Sequence, residues 1–83
     1  MYYVYIIQDK NKNLYIGCTN NLKKRIEMHN TGKVISTKYR APFKFVYCEV
    51  FISKHDAFDR ESKLKYHAQS LRRLKERLKE SLK

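Results

Sequence analysis

Two short runs of aromatic and β-branched residues near the start of the chain constrain the fold most. Residues 2–7 read YYVYII and residues 14–16 read LYI, and side chains of these types favour strands. Residues 9–13, DKNKN, are all polar and rich in types that tolerate turns. The pattern predicts a β-hairpin, which is marginal alone and needs a third strand or a helix to cover it.

A helix is predicted after the hairpin. Asn20 or Asn21 can cap it, because a side-chain oxygen there accepts a hydrogen bond from a free backbone N–H of the first turn. The helix is expected to run to about Asn30, where Thr31-Gly32 supplies a stop signal.

A strand is predicted over residues 43–52, beyond an aperiodic stretch that Pro42 marks as a loop. Because side chains alternate across a strand, its alternate apolar positions predict one buried face. Those positions are Val46, Cys48, Val50 and Ile52.

Two helices complete the predicted order. Ser53, followed three residues later by Asp56, resembles a capping box that opens a helix to about Ala68. Ser70 is predicted to cap a last helix with leucines at positions 71, 74, 78 and 82. The order β-β-α-β-α-α predicts an α+β fold, a small antiparallel sheet flanked by helices. At 83 residues we expect a single domain, 1–83.

The charge balance favours a polyanionic partner. Lys and Arg number 19 against 8 Asp and Glu, a formal net charge of +11, which attracts nucleic acid before acidic membrane. No apolar run reaches the roughly 18–20 residues that span a bilayer, and no signal peptide is visible. Cys18 and Cys48 are thirty residues apart, and neither has a second Cys or a His at the spacing of a metal site. We therefore expect free, buried thiols in a cytoplasmic protein.

Polar side chains fall on faces that should be apolar. On the first predicted helix, Arg25 and His29 share the direction of Leu22 and Ile26. A guanidinium and an imidazole facing a sheet are costly unless they have partners or a wet cleft. The alternatives are a functional pair, or an Arg25 that extends to the edge and a hydrogen-bonded core His29.

Glu61 projects from the apolar side of the next helix, between Ala57 and Leu64. A carboxylate in that place needs a cation, since an isolated buried charge costs several kcal/mol or more. One alternative is a structural pair with Arg60, Arg25 or Lys65. The other is Mg²⁺, which keeps several waters and often takes only one or two carboxylates beside a substrate phosphate.

Three tyrosines of the hairpin complete the unusual set. Tyr3, Tyr5 and Tyr15 can lie together on one hairpin face, either as packing residues with hydroxyls at the rim or as functional phenols. Gly17, placed before a helix start, can let a phosphate approach backbone N–H groups, although a glycine at a strand end is common.

These residues together resemble the GIY-YIG nuclease signature. Tyr3-Val4-Tyr5 precedes Tyr15-Ile16-Gly17, with ten residues from Tyr5 to Tyr15. Arg25, His29 and Glu61 follow in the order and approximate spacing of that family. The resemblance covers essentially the whole chain and is closest to the small stand-alone bacterial members. The chain departs from the pattern at Tyr3, where the family has glycine, and in lacking the late polar residue, often Asn, of some active relatives.

The resemblance implies a three-stranded antiparallel sheet and hydrolysis of DNA phosphodiesters with Mg²⁺ or Mn²⁺. Glu61 would be the single protein ligand to the metal, and Arg25 would hold the scissile phosphate. Tyr5 and Tyr15 would position and help deprotonate the attacking water. His29 would assist proton transfer or contact the phosphate.

Basic residues outside this set are expected to follow a nucleic-acid backbone, with Tyr39 available to stack on an unpaired base. None forms a base-reading pattern, so we expect selectivity for DNA structure rather than sequence, in a monomer that needs no membrane and no small-molecule cofactor. The predicted contact residues are Lys23, Lys24, Lys33, Lys38, Tyr39 and Arg40.

Two alternatives to an endonuclease remain open from the sequence. The charge of +11 also suits a non-catalytic nucleic-acid-binding module. The leucine stripe of the last helix also suits a subunit that docks on another protein. A stripe buried in the protein's own core would exclude the second alternative.

Overall fold

A computed structural model describes all 83 residues and contains three strands and three α-helices in the predicted order. The strands are β1 (Tyr2–Gln8), β2 (Leu14–Thr19) and β3 (Lys44–Phe51). The helices are α1 (Leu22–Asn30), α2 (Lys54–Tyr66) and α3 (Ala68–Arg77), with a short 3₁₀ turn at Ile35–Thr37. The predicted α+β fold with a small antiparallel sheet is confirmed.

The sheet has the strand order β2-β1-β3, and both pairings are antiparallel. The hairpin partner of Tyr5 is Gly17, and its partner in β3 is Cys48. Because β1 has a neighbour on each side and helices over both faces, its Val4–Ile7 segment is entirely buried. Strand β1 thus carries side chains into both halves of the core.

The two faces of the sheet have separate cores. On one face, Val4 and Ile6 of β1 pack with Ala57 and Leu64 of α2 and Leu74 of α3. On the other face, a second cluster holds the side chains of the alternate β1 positions and of the loop before β3, with α1 against it; its members are Tyr5, Ile7 and Phe43, with Tyr15, Leu22 and Ile26 packed on them.

The prediction of a buried alternating face on β3 is wrong. The register shifts between Ile6 and Ile7 of β1, so that Val46 and Tyr47 both pack on the α2–α3 side of the core. Val50 is 51% exposed, and Ile52 lies beyond the strand and is 89% exposed. A β-bulge breaks the period of two, and β3 is an edge strand with less cover.

Local capping signals were correct at two helix starts and wrong at the third. The Asn21 side chain accepts a hydrogen bond from the backbone N–H of Lys24, and that of Ser53 accepts one from Asp56. Helix α3, however, begins at Ala68 without a side-chain cap, and Ser70 lies inside it. Helix α2 ends at Tyr66, so His67, with extended backbone, is the one residue between α2 and α3.

The leucine stripe packs on the protein's own core, except that Leu82 lies beyond the end of α3. Leu74 is 3% exposed, and Leu71 and Leu78 pack against the same cluster. The alternative in which this stripe docks on another protein is therefore wrong.

Cys18 and Cys48 are free but only half-buried, so the prediction of buried thiols is also wrong. No helix combines the length and apolar character needed to cross a bilayer.

Candidate active site

Three side chains from three elements form a hydrogen-bonded chain on the α1 face of the sheet. The Tyr5 hydroxyl lies 2.7 Å from Nε2 of His29. The other ring nitrogen, Nδ1, lies 2.8 Å from the hydroxyl oxygen of Thr37. All three side chains are buried. Helix α1 places His29 over the sheet because its buried direction contains Leu22 and Ile26, as the sequence predicted.

The donors and acceptors in this chain can be assigned from its far end. The Thr37 hydroxyl donates to the carbonyl of Val34 at 3.5 Å, so its oxygen is left to accept from Nδ1–H of His29. The Nε2 atom then accepts from the Tyr5 O–H. Burial, with the charges of Arg25 and Arg40, lowers the pKa of His29 to about 4. The ring is therefore neutral at pH 7, as this assignment requires.

Aromatic rings enclose the imidazole. The centroid of His29 lies 4.9 Å from that of Tyr15 and 5.7 Å from that of Phe43, and both pairs meet edge to face. Tyr5 and Tyr15 are 6.4 Å apart between centroids. The two tyrosines predicted to act on the attacking water are thus neighbours around one histidine, although strand β1 supplies one and β2 the other.

Gly17 makes room for the Tyr5 phenol. It lies inside β2 rather than directly before a helix, opposite Tyr5 in the register. A Cβ built on Gly17 would overlap the hydroxyl oxygen and Cζ of Tyr5. The glycine therefore has a structural reason in this fold that sequence reasoning did not find, while a phosphate contact at this position stays a prediction.

The electrostatics around Tyr5 keep its phenol protonated at neutral pH. Burial raises the pKa of Tyr5 to about 12, and the charges of Tyr15 and Glu61 add to that effect. The Arg25 guanidinium beside the phenol acts in the opposite direction but does not outweigh burial. A free phenolate is therefore not available as a base, and Tyr5 must pass its own proton on to act as one.

Arg25 contains the one buried side-chain nitrogen or oxygen without a partner. Its Nε is shielded from solvent and meets no acceptor with hydrogen-bonding geometry. Burying a charged donor in this way is expensive unless a ligand supplies the acceptor. An anionic oxygen next to Tyr5 would satisfy it.

Glu61 reaches the same side of the molecule from α2. Its carboxylate pairs with Lys65 at 3.1 Å, and the Lys65 ammonium lies 5.7 Å from the centre of the Tyr15 ring. The structure thus contains one of the internal pairs that the sequence left open. The Glu61 side chain stays 22% exposed. One accessible carboxylate suits Mg²⁺ or Mn²⁺ held with waters and substrate, while no group of three His, Cys, Asp or Glu exists for a closed site.

Most of the predicted nucleic-acid contacts are exposed, but Arg40 is not free. Its Nε donates to Asp9 at 2.9 Å and its Nη2 to the Leu14 carbonyl at 3.4 Å. The pairing ties the loop before β3 to the hairpin turn. The exposed members are Lys23, Lys24, Lys33, Lys38 and Tyr39, and the Lys38 ammonium lies 5.4 Å from the Tyr39 ring centre.

A cleft of about 620 Å³ opens between α1 and the edge of the sheet, next to the core cluster that contains Tyr5. Two aromatic side chains, Tyr3 and the half-exposed Phe45, lie in its wall. The remaining lining residues are Asn20, Asn21, Leu22, Lys23, Ile26 and Glu27. The residue that departs from the family pattern, Tyr3, therefore lines a surface cleft.

Sequence reasoning missed Thr37 and Phe43, which hold the imidazole in place. Thr37 lies inside the stretch without periodicity and Phe43 directly after it, and no motif marks either one. Only a tertiary contact across eight residues links Thr37 to His29. An aperiodic loop whose polar residue lies over a predicted buried histidine leaves no signal in one sequence.

Comparison with known proteins identifies the family. The sequence model of the family described as the GIY-YIG catalytic domain matches residues 1–77. A UPF0213 protein of Staphylococcus haemolyticus is 43% identical over 79 residues, covering 92% of this chain and 96% of that protein. A UPF0213 protein of Oceanobacillus iheyensis is 43% identical over 65 residues, covering 77% and 76%.

A solved structure has a similar fold. The solution NMR structure of the UPF0213 protein BH0048 from Bacillus halodurans has a TM-score of 0.56 and 38% sequence identity. The alignment covers 94% of this chain and 82% of that one. A family match over nearly the whole chain, supported by relatives of similar length, leads to one conclusion: this chain belongs to the GIY-YIG family of the nuclease superfamily.

Proposed function

We propose that this protein is a divalent-metal-dependent endonuclease that hydrolyses DNA phosphodiester bonds and selects DNA by structure rather than by sequence. In this proposal residues 1–83 act as one nuclease domain in a monomer, located in the cytoplasm. The catalytic residues are Tyr5, Tyr15, Arg25, His29 and Glu61.

The unpartnered Nε of Arg25 carries the proposal. It is a buried cationic donor, adjacent to a phenol that is hydrogen-bonded to a neutral histidine. A non-bridging phosphate oxygen supplies the missing acceptor when the side chains that shield the Nε move aside. Because charge grows on those oxygens as water attacks, the contact strengthens towards the transition state.

The Tyr5–His29 pair suits removal of a proton from the attacking water. The Tyr5 oxygen donates its proton to Nε2 of His29 and keeps lone pairs with which to accept another. As the water oxygen bonds to phosphorus, its proton passes to Tyr5, and the phenolic proton moves to Nε2. The P–O bond on the opposite side breaks, and the leaving alkoxide takes a proton from solvent. Thr37 then holds the imidazolium through Nδ1–H. Tyr15, in contact with the same ring, positions the water.

Glu61 would hold the metal ion. When bound, Mg²⁺ or Mn²⁺ would neutralise charge on the phosphate and its leaving group. The Glu61–Lys65 pair opens for this, because a salt bridge between partly exposed side chains contributes little to stability. Lys65 is then free to contact the DNA backbone.

The cleft beside the cluster supports selection by DNA structure. Its two aromatic walls, Tyr3 and Phe45, match the flat face of an unpaired base, and stacking of this kind tolerates any base. Lys23 at its rim suits the neighbouring phosphate. DNA with a single-stranded or branched segment can place a base there while its backbone crosses Arg25.

A cleavage assay tests the proposal on duplex, nicked, branched and single-stranded DNA. We expect cleavage with Mg²⁺ or Mn²⁺, none with EDTA, and faster cleavage of DNA that contains unpaired nucleotides. Glu61→Gln should abolish metal-dependent cleavage. Arg25→Ala should lower the rate by about 10²–10³-fold, because it removes a preorganised contact to the charged phosphate.

Arg72→Ala is the matched control for Arg25→Ala, since it removes an exposed guanidinium to which the proposal gives no role. It should change the rate only slightly. Equal residual cleavage by the wild type and Glu61→Gln would identify a contaminant and contradict the proposal. Tight DNA binding without any cleavage would instead identify the binding module that the charge of +11 also allows.

A further inference from the structure

A second cavity, lined by arginines, lies on the opposite face of the sheet, between α2 and α3. Its volume is about 220 Å³. Three arginines from the two helices surround it together with one hydroxyl group, and the lining residues are Arg60, Ser70, Arg73, Leu74 and Arg77. Because α3 packs on the Val4–Ile6 side of the sheet, this cavity is separated from Tyr5 and His29 by the sheet itself.

One of the arginines is held rigidly. Arg60 donates two hydrogen bonds to Glu49, each of 2.9 Å, and the Tyr47 hydroxyl donates to the same carboxylate at 2.8 Å. Although burial opposes it, the hydrogen bonds from Arg60 and Tyr47 hold the pKa of Glu49 below its ordinary value. Glu49 therefore neutralises Arg60 and fixes it as a wall of the cavity.

The other two arginines have no acidic partner. Neither Arg73 nor Arg77 takes part in any salt bridge of the structure, and the Ser70 hydroxyl takes part in no hydrogen bond. Arg73 and Arg77 stand one turn apart on α3 and so project to the same side. The cavity thus combines two free guanidinium groups with a free hydroxyl.

We infer that this cavity binds a phosphate group of a nucleic-acid backbone, at a site distinct from the one that holds the scissile phosphate. Guanidinium groups match phosphate oxygens in geometry and stay charged at every physiological pH. The surrounding charge of +11 favours a polyanion over a small dianion. The inference rests on the nucleic-acid partner proposed above but not on the hydrolytic reaction.

A site on this face gives the protein contact with two segments of nucleic acid. The molecule is only 28 × 27 × 20 Å, so segments on its two faces lie close together. DNA with more than one arm, or a strand that wraps around the edge of the sheet, can occupy both sites. A substrate confined to the α1 face cannot.

Two double variants with the same loss of charge test the inference. Arg73→Gln with Arg77→Gln removes the free guanidiniums of the cavity. Arg72→Gln with Lys75→Gln removes two exposed cations of the same helix that do not line it. Binding to a branched oligonucleotide is measured in EDTA, which prevents metal-dependent cleavage, at several salt concentrations.

The cavity variant should reduce the slope of log affinity against log salt by about 0.9, which is the contribution of one neutralised phosphate. Over a fourfold rise in salt concentration, the affinity of the wild type should therefore fall by about 3.5-fold more than that of the cavity variant. The control variant should change this slope clearly less than the cavity variant does. In wild-type protein, inorganic phosphate should shift the Nε–H NMR signals of Arg73 and Arg77 but not that of Arg72.

Equal slopes for the two double variants would overturn the inference and leave only diffuse charge. Unshifted signals of Arg73 and Arg77 during the phosphate titration would overturn it as well. Shifted signals with equal slopes would show a site for free phosphate and not for nucleic acid. Because none of these measurements requires cleavage, the inference can fail while the endonuclease proposal survives, and the reverse.

Discussion

The phenol of Tyr5 lies across the α-carbon of Gly17, its direct partner in the neighbouring strand. Any side chain at position 17 would occupy the space that the Tyr5 hydroxyl and Cζ fill. The hydrogen bond from Tyr5 to His29 therefore depends on a glycine that takes no part in the hydrogen-bonded chain itself. The requirement is for space, since Gly17 shows no positive φ.

Gly17→Ala should displace the Tyr5 phenol and break its hydrogen bond to His29. We expect a loss of about 1–3 kcal/mol in the free energy of unfolding, as for overpacked cores, together with loss of cleavage. Urea denaturation and the NMR signals of the Tyr5 ring measure the two effects. Gly32→Ala is the control, because it strains a backbone with φ of +72° but leaves the ring in place. Undisturbed Tyr5 signals in Gly17→Ala would contradict this prediction.

Thr37→Val should leave Nδ1–H of the buried His29 without an acceptor. An unsatisfied buried donor costs about 1–3 kcal/mol of stability. The ring also loses the contact that selects its tautomer, so the cleavage rate should fall by about tenfold or more. Thr37→Ser retains the hydroxyl and should preserve the tautomer, which ¹⁵N shifts of the imidazole report. The same ¹⁵N shifts in Thr37→Val and wild type would count against the assigned roles.

Stability should fall in mild acid because of His29. Its pKa is about 4 when folded and 6.5 ordinarily, so between these pH values the unfolded chain binds a proton that the folded chain does not. The contribution is complete above pH 6.5 and is lost as the pH falls towards 4, by up to about 3 kcal/mol. Urea denaturation across pH 4–7 measures it.

His29→Gln separates this effect from that of the carboxylates. Asp9 and Glu49, whose pKa values are lowered in the fold, also lose their stabilising interactions in acid, but they are present in both proteins. The difference in unfolding free energy between wild type and His29→Gln should therefore shrink as the pH falls from 6.5 to 4. A difference independent of pH would mean that His29 titrates normally.

Arg40→Gln and Lys38→Gln should separate stability from nucleic-acid binding. Arg40 neutralises Asp9, whose side chain is only 4% exposed. Removing it leaves that carboxylate held only by the backbone N–H groups of Asn11 and Asn13, so we expect a loss of about 1–3 kcal/mol. Lys38 is exposed, so its variant should weaken DNA binding and leave stability unchanged. A loss of stability in Lys38→Gln larger than that in Arg40→Gln would contradict these two roles.

The elements that the sequence predicted well depend on neighbours along the chain. The hairpin follows from two β-forming runs around a polar turn, and the starts of α1 and α2 follow from Asn21 and Ser53. The predicted start of α3 at Ser70 was wrong because no side chain caps the helix, which begins at Ala68. The predicted buried face of β3 was wrong because a bulge in its pairing with β1 changes which side chains face the core.

By itself, the sequence determined that a guanidinium and an imidazole share the buried face of α1, since 3.6 residues per turn leave no other arrangement. It also determined a family, through residues in a specific order. Only the tertiary structure decided that Thr37 orients His29, that Tyr5 needs Gly17, that Arg40 serves Asp9 and that Nε of Arg25 has no partner. Those relationships join residues that are distant along the chain, and packing, not local propensity, brings them within a few ångströms.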